Sequence, residues 1–209
     1  AEALPGPRAV RYVRGMSEPH AERRRPSRVL VTGGAGFIGS HLVPALLDRW
    51  PDIAVVSVDD YSTGAEDNEV DDPRVTYVDG STTQLGALMA GIEPPDVVFH
   101  LGEYAVITES FDDFDRVWQS NVAGTREVAR YAQEVGAFVV YAASSSKFGN
   151  DGADENLSPY AWVKAKNVEL LVNLGRWFGL EFAVTYFYNV YGPRQIEAGK
   201  YATVIGIFE

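Results

Sequence analysis

Residues 28–39 read Arg28-Val29-Leu30-Val31-Thr32-Gly33-Gly34-Ala35-Gly36-Phe37-Ile38-Gly39. A short apolar, β-branched run passes directly into closely spaced glycines, and apolar residues at helical spacing follow over 37–50. A strand that reaches a helix through a glycine turn opens a βαβ unit. The alternation continues along the chain. Buried-strand runs fall at 53–58, 75–78, 96–101, 137–141 and 182–186, and helical spacing is read over 111–135 and 160–178. Gly136 and Gly179 stand where a left-handed residue ends a helix. Continuous apolar strands separated by helices predict an α/β chain: a Rossmann-type, doubly wound parallel sheet with helices on both faces.

The glycine turn itself carries chemistry. Gly34, Gly36 and Gly39 satisfy G-x-G-x-x-G, and Gly33, Gly36 and Gly39 give its G-x-x-G-x-x-G variant. Glycines here allow a tight turn, expose bare backbone to a pyrophosphate and let the helix pack closely, with its positive end toward the phosphates. Asp59 ends the second strand twenty residues after Gly39, where a carboxylate accepts hydrogen bonds from ribose hydroxyls. A 2′-phosphate would be repelled there, and no Arg or Lys lies between Asp60 and Asp72 to receive one, so NAD is expected over NADP. Asp79, after the third strand, is expected to meet the adenine ring.

Composition narrows the remaining classes. The 209 residues fit one domain with a substantial core. With no cysteine, disulfide, thiolate and zinc–sulfur chemistry are excluded, which fits a reducing compartment such as the cytoplasm. Three scattered histidines offer no metal site, and His100, ending a strand, reads as a satisfied core group. A net charge of -11 argues against nucleic acid and anionic membranes as partners, and no apolar run is long enough for a membrane span. The charge is uneven: residues 1–28 hold seven Arg and three acids among scattered prolines. Residues 1–27 are therefore expected to be a disordered basic extension, with Met16 a candidate natural start. The apolar stretch 201–208 meets no terminator before Glu209, so both ends read as those of a fragment.

A second constellation lies downstream. Tyr160 and Lys164 form a Y-x-x-x-K on a helix, and residues four apart share a face. An unperturbed phenol ionises near pH ~10. A neighbouring ammonium and a positive nicotinamide ring would both favour the phenolate as a base near neutrality. Ser144-Ser145-Ser146 follows the fifth strand, at the edge of a parallel sheet where ligands bind, and a serine hydroxyl there can bond a substrate hydroxyl and relay its proton.

Taken together with His100-Leu101-Gly102, Asn121-Val122-Ala123-Gly124-Thr125, Ser144 to Gly149, Ser158-Pro159-Tyr160 and Tyr188-Asn189-Val190-Tyr191-Gly192-Pro193-Arg194, these motifs resemble the extended short-chain dehydrogenase/reductase family. The resemblance is to its sugar-nucleotide epimerase/dehydratase branch and runs from Arg28 to the end of the chain. It implies an NAD-binding domain over 28–190 and the start of a substrate-binding region over 191–209, with most of that lobe missing. It implies Ser144, Tyr160 and Lys164 as catalytic residues, Lys164 also holding the nicotinamide ribose. Gly33, Gly36, Phe37, Ile38, Gly39, Asp59, Asp60, Asp79, Gly80, Leu101, Gly102, Asn121 and Tyr188 are implied on the cofactor, and Ser144, Ser145, Tyr160 and Asn189 on a nucleotide-sugar substrate such as a UDP-hexose. The implied reaction is 4-epimerisation through a transient 4-keto sugar, the alternatives being a reductase, decarboxylase or dehydratase of the same branch or a non-catalytic NAD-sensing regulator, and the two long helices are implied to form a homodimer interface. The chain departs from the family pattern in places. Ser145 and Ser146 replace the acidic pair that 4,6-dehydratases use for elimination, and the segment from Ser144 to Tyr160 is short. Glu103 and Tyr104 stand where small apolar residues are usual, so Glu103 either contacts substrate or pairs with a neighbouring donor.

Overall fold

The computed structural model describes residues 25–148 and 156–196. Most of the expected basic extension over 1–27, the 201–208 stretch and most of 191–209 lie outside the described residues. Six strands form one sheet: β1 (Arg28–Thr32), β2 (Ala54–Asp59), β3 (Val75–Asp79), β4 (Val97–His100), β5 (Phe138–Ser144) and β6 (Phe182–Phe187). Their order is β3-β2-β1-β4-β5-β6, and every neighbouring pair is parallel. The expected Rossmann-type sheet is present, and its order reverses between β1 and β4.

Period-two side-chain alternation sorts the core onto two faces. Val29 and Val31 of β1 and Val55 of β2 pack with Val43, Leu46 and Leu47 of helix α1 (Phe37–Arg49). Leu30, Val58 and Val98 point the other way. They join Leu85 of the one-turn helix α2 (Leu85–Leu88), which the sequence reading did not anticipate. The same cluster takes in Val128, Ala129 and Ala132, and Val168 and Leu171 of helix α5 (Pro159–Phe178).

The helical spacing over 111–135 resolves into three parts. Helix α3 (Phe114–Val117) passes through a wide π turn (Trp118–Ala123) into α4 (Gly124–Val135). Apolar spacing alone does not register an inserted residue, and π turns of this kind concentrate at functional sites. Here the turn aims Asn121, whose amide accepts from the Tyr104 N–H (2.7 Å) and donates to the Tyr104 carbonyl (2.9 Å). The backbone leaving β4 is thereby fixed by a side chain that imitates a neighbouring strand.

Pro44 lies inside α1 and lacks the N–H that would bond the carbonyl four residues back. That carbonyl belongs to Ser40, and the Arg194 guanidinium donates to it at 2.8 Å. His41 Nε2 contacts the Pro193 carbonyl at 2.8 Å beside it. The segment beyond β6 is thus tied to the first helix.

At Gly39 a Cβ would come to 2.0 Å from the Gly33 carbonyl oxygen, so the first turn of α1 rests directly on the glycine loop. Gly39→Ala should therefore destabilise the fold by about 1–3 kcal/mol, the usual range for overpacking, despite the better helix propensity of Ala. Urea denaturation of the variant and the parent, compared at one temperature, checks this.

Candidate active site

A cleft opens beyond the carboxyl ends of the strands at the β1/β4 reversal, where open parallel sheets place ligands. Its walls bring together most of the residues singled out in the sequence: Gly33, Gly36, Phe37, Ile38, Gly39, Asp59, Asp60, Gly80, Leu101, Gly102, Ser144, Tyr160, Lys164 and Tyr188. Asp79, Asn121, Ser145 and Asn189 are not in that wall. Asp79 is exposed at the end of β3, Asn189 is exposed past β6, and Asn121 is buried behind the cleft on Tyr104. The sequence reading did not include Thr82, Ala105, Val106 or Ser120, which also line the cleft.

Backbone meets backbone at its floor. Gly33 has a φ of 76°, and a Cβ there would sit 2.7 Å from the Gly102 nitrogen. Two bare main chains, from the ends of β1 and β4, therefore lie against each other under the cleft. The Asp59 carboxylate at the end of β2 accepts from the Ala35 N–H (2.9 Å) and the Tyr61 N–H (2.9 Å), fastening the glycine loop to the second strand. Burial raises the Asp59 pKa, and these backbone donors only partly oppose it. Gly36 adds a third backbone donor, and a carboxylate with about four lone-pair sites keeps capacity for a further donor.

Helix α5 places the other wall. Ser158 caps it, its hydroxyl accepting from the Ala161 N–H (3.1 Å), Pro159 fills the first turn, and Gly179 ends it in the left-handed conformation. Tyr160 and Lys164 share one face of this helix, and the Lys164 ammonium lies 5.9 Å from the centre of the Tyr160 ring. Both are nearly buried at the inner edge of the cleft. The Ser144 oxygen accepts from the Ser146 N–H (3.2 Å) and hydroxyl (2.8 Å), which leaves its own proton to donate.

Behind these groups runs a buried polar network that sequence reasoning touched only at its ends. Lys164 Nζ donates to the Glu103 carboxylate and to the Ala142 carbonyl (2.7 Å). Glu103, its side chain 1% exposed, also accepts from Thr125 (2.6 Å), Asn167 Nδ2 (2.9 Å) and the Tyr141 hydroxyl (3.1 Å). Glu103 thus has the neighbouring donors that one of its two readings requires, and it also lines the cleft. Burial opposes the charge on Lys164, but the Glu103 carboxylate and Tyr160 together outweigh it and the pKa is raised. The Tyr141 phenol is pushed well above its ordinary range by burial and then by Glu103, so it stays a donor.

The tautomer of His100 follows from counting protons. Thr125 gives its only hydroxyl proton to Glu103, so it must accept from His100 Nε2 (3.0 Å). Nδ1 is then the acceptor, taking the Thr32 hydroxyl proton (2.8 Å), while Thr32 Oγ1 accepts from the Gly102 N–H (3.1 Å). Every donor in this line points toward Glu103. His100 is the satisfied core group the sequence suggested. Asn167 lies three residues after Lys164 on the same helix face, and that spacing was the available sign of its role.

With this geometry in hand, comparison with known proteins places the chain. The model of the NAD dependent epimerase/dehydratase family matches residues 29–208, and the chain belongs to that family. It is 36% identical over 199 residues to the UDP-glucose 4-epimerase of Mycolicibacterium smegmatis, covering 87% of this chain and 61% of that protein. Among solved structures, UDP-glucose 4-epimerase from Thermotoga maritima with UDP-glucose superposes with a TM-score of 0.78 at 28% identity, over 87% of this chain and 61% of that one. The dTDP-glucose 4,6-dehydratase of Streptomyces venezuelae with NAD bound gives 0.73 at 32% identity, over 80% and 57%. The chain thus spans about three-fifths of the length of such relatives. No helix among the described residues is long and apolar enough to cross a membrane, and no cluster of metal-ligating side chains occurs among them.

Burial lowers the His100 pKa to about 4, from an ordinary 6.5. A group depressed in the folded state adds stability above its unfolded value and loses it as pH falls through the folded one. One proton is therefore taken up on unfolding between about pH 6.5 and 4 at this site. Unfolding free energies from urea titrations across that interval should fall, by about 3 kcal/mol from this group alone.

Proposed function

We propose that this chain is the nucleotide-binding part, residues 28–190, of an NAD-dependent enzyme that epimerises a nucleotide sugar, a UDP-hexose, at C4. The observation that carries the reading is that Ser144, Tyr160 and Lys164 line the same cleft as the glycine loop and Asp59. The donor set fits NAD. Gly33, Gly36, Phe37, Ile38 and Gly39 offer bare backbone and a helix N-terminus to a diphosphate, and the close packing at Gly33 and Gly39 leaves no room for side chains there. Asp59 and Asp60 would take the adenosine ribose, and Asp79 with Gly80 the adenine side. Leu101, Gly102 and Tyr188 would flank the nicotinamide, and Lys164 its ribose. Asn121 would act from behind, by holding Tyr104, and not by touching the nucleotide.

When bound, NAD supplies a reversible hydride acceptor beside the sugar carbon. The chain's own residues do the rest. Tyr160 as phenolate removes the proton of the 4-hydroxyl and later returns it from the same atom. Ser144 donates its remaining hydroxyl proton to the sugar oxygen and keeps that oxygen facing Tyr160. Asn189 and Ser145 would meet the substrate once it fills the cleft.

Ser145 and Ser146 hold no carboxylate that can act in elimination, which favours epimerisation over the dehydratase chemistry of some relatives. A homodimer is part of the proposal. Phe111, Phe114 and Trp118 stand exposed on the helical segment where the resemblance implies a second copy would pack.

The test is incubation of the full-length protein with a panel of UDP-sugars, with the products identified by NMR. C4 epimers are expected, and a 4-keto-6-deoxy product would overturn the reaction. Tyr160→Phe should lower turnover by about a hundredfold or more. Asp59→Ala should weaken NAD binding by about tenfold or more, as expected for loss of a charged hydrogen-bond acceptor, with no matching loss for NADP.

A further inference from the structure

Lys164 is not an isolated cation. Two of its three donors are taken, by Glu103 and by the Ala142 carbonyl, which leaves one for a ligand in the cleft. Glu103 in turn is surrounded by donors: the Thr125 and Tyr141 hydroxyls and the Asn167 amide, the last also fixed on the Asn121 carbonyl (2.8 Å). A protonated Glu103 would set its own hydrogen against one of theirs, so the network holds it as a carboxylate. An ammonium and a carboxylate in contact present little net charge to a third group nearby.

The groups facing Tyr160 can be enumerated among the described residues. From its own helix comes Lys164; from the segment after β4, Glu103, on the same cleft; from β5, protonated Tyr141 and Ser144; neutral His100 stands behind them on Thr32 and Thr125. The turn Thr108–Ser110 meets it through the Tyr160 N–H on Ser110 Oγ (3.4 Å) and carries Glu109. The only cation in this set is the one Glu103 neutralises.

We propose that Glu103 is a positioning residue that makes Lys164 half of a neutral pair, so that the lysine favours the Tyr160 phenolate less than a lone ammonium would and the charge of the bound nicotinamide has the larger share. This rests on the reading of Tyr160 as the base at an NAD site. Tyr160 then gives up its proton when an oxidised, cationic ring is seated. It holds the proton beside a reduced, neutral ring, the state in which a ketone in the cleft needs a donor.

The experiment requires no substrate. Tyrosinate is followed by ultraviolet difference absorbance across pH in the full-length protein without nucleotide, with NAD⁺ and with NADH, and Tyr160→Phe gives the background to subtract. The Tyr160 signal should appear at lower pH with NAD⁺ than with NADH or no nucleotide. In Glu103→Gln, at a given pH in the rising part of the titration and without nucleotide, the ratio of phenolate to phenol should rise about tenfold or more, the size of a one-unit displacement. Glu103→Asp, which restores the charge, should return the titration toward that of the parent. Parent and Glu103→Gln titrations that coincide would overturn the proposal and leave Glu103 a structural residue. If Glu103→Gln does not fold, the parent decides alone: a Tyr160 signal indifferent to nucleotide refutes it. Should Tyr160→Phe remove no signal at any pH, the assignment of the base fails as well, which separates the two ideas.

Discussion

Gly33 and Gly102 touch through their main chains, and much of the molecule is arranged so that they can. The contact lies at the reversal of strand order, where β1 sends the chain outward to β2 and β3 while β4 leads to β5 and β6. A side chain on either glycine would push the two strand ends apart: a Cβ on Gly102 would meet the Gly33 nitrogen at 2.9 Å. Around this point the structure adds further fastenings. Asp59 holds the loop to β2, Gly39 lets α1 settle on it, and Thr32 accepts the Gly102 N–H. A cleft floored by bare backbone admits a flat or phosphorylated ligand closely, which a floor of side chains would not.

The second wall has a different physical problem, the burial of charge. Removing an ammonium and a carboxylate from water is costly, and a pair survives inside a protein only when its remaining hydrogen-bonding capacity is met. The answer here is saturation. Glu103 accepts from four separate side chains, and the line from Gly102 through Thr32, His100 and Thr125 ends on it. The floor and the wall are therefore one system, because the same Gly102 whose backbone packs on Gly33 begins the hydrogen-bonded line that terminates at the partner of Lys164.

The sequence made the sheet legible because each strand is a mostly apolar run bounded by turn or helix signals, a pattern that depends only on local composition. It also exposed the glycine loop, Asp59, Ser144, Tyr160 and Lys164, because motif spacing along one strand or one helix converts directly into position. Contacts between distant segments left weaker traces. Asn121 pairs with Tyr104 across a π turn that apolar spacing does not reveal. Thr125, Tyr141 and Asn167 come from three different elements, and nothing in their own neighbourhoods foretells a common carboxylate. Glu103 drew notice only as an acid where a small residue was usual, because the donors that surround it come from elements distant in the chain. Helix α2 went unread because a single turn is too short to display a period.

Pro44 withholds one hydrogen from α1, and the vacant Ser40 oxygen is claimed by Arg194 from beyond the last strand. Phe37 and Gly39, at the base of that helix, form one bank of the cleft, while Tyr188, Val190 and Ile196 form part of the other. A ring that cannot donate thus moors the two banks to each other. That tie is owed to a covalent peculiarity of one residue outside the cleft, so a pull on the chain past β6 would act directly on the first helix.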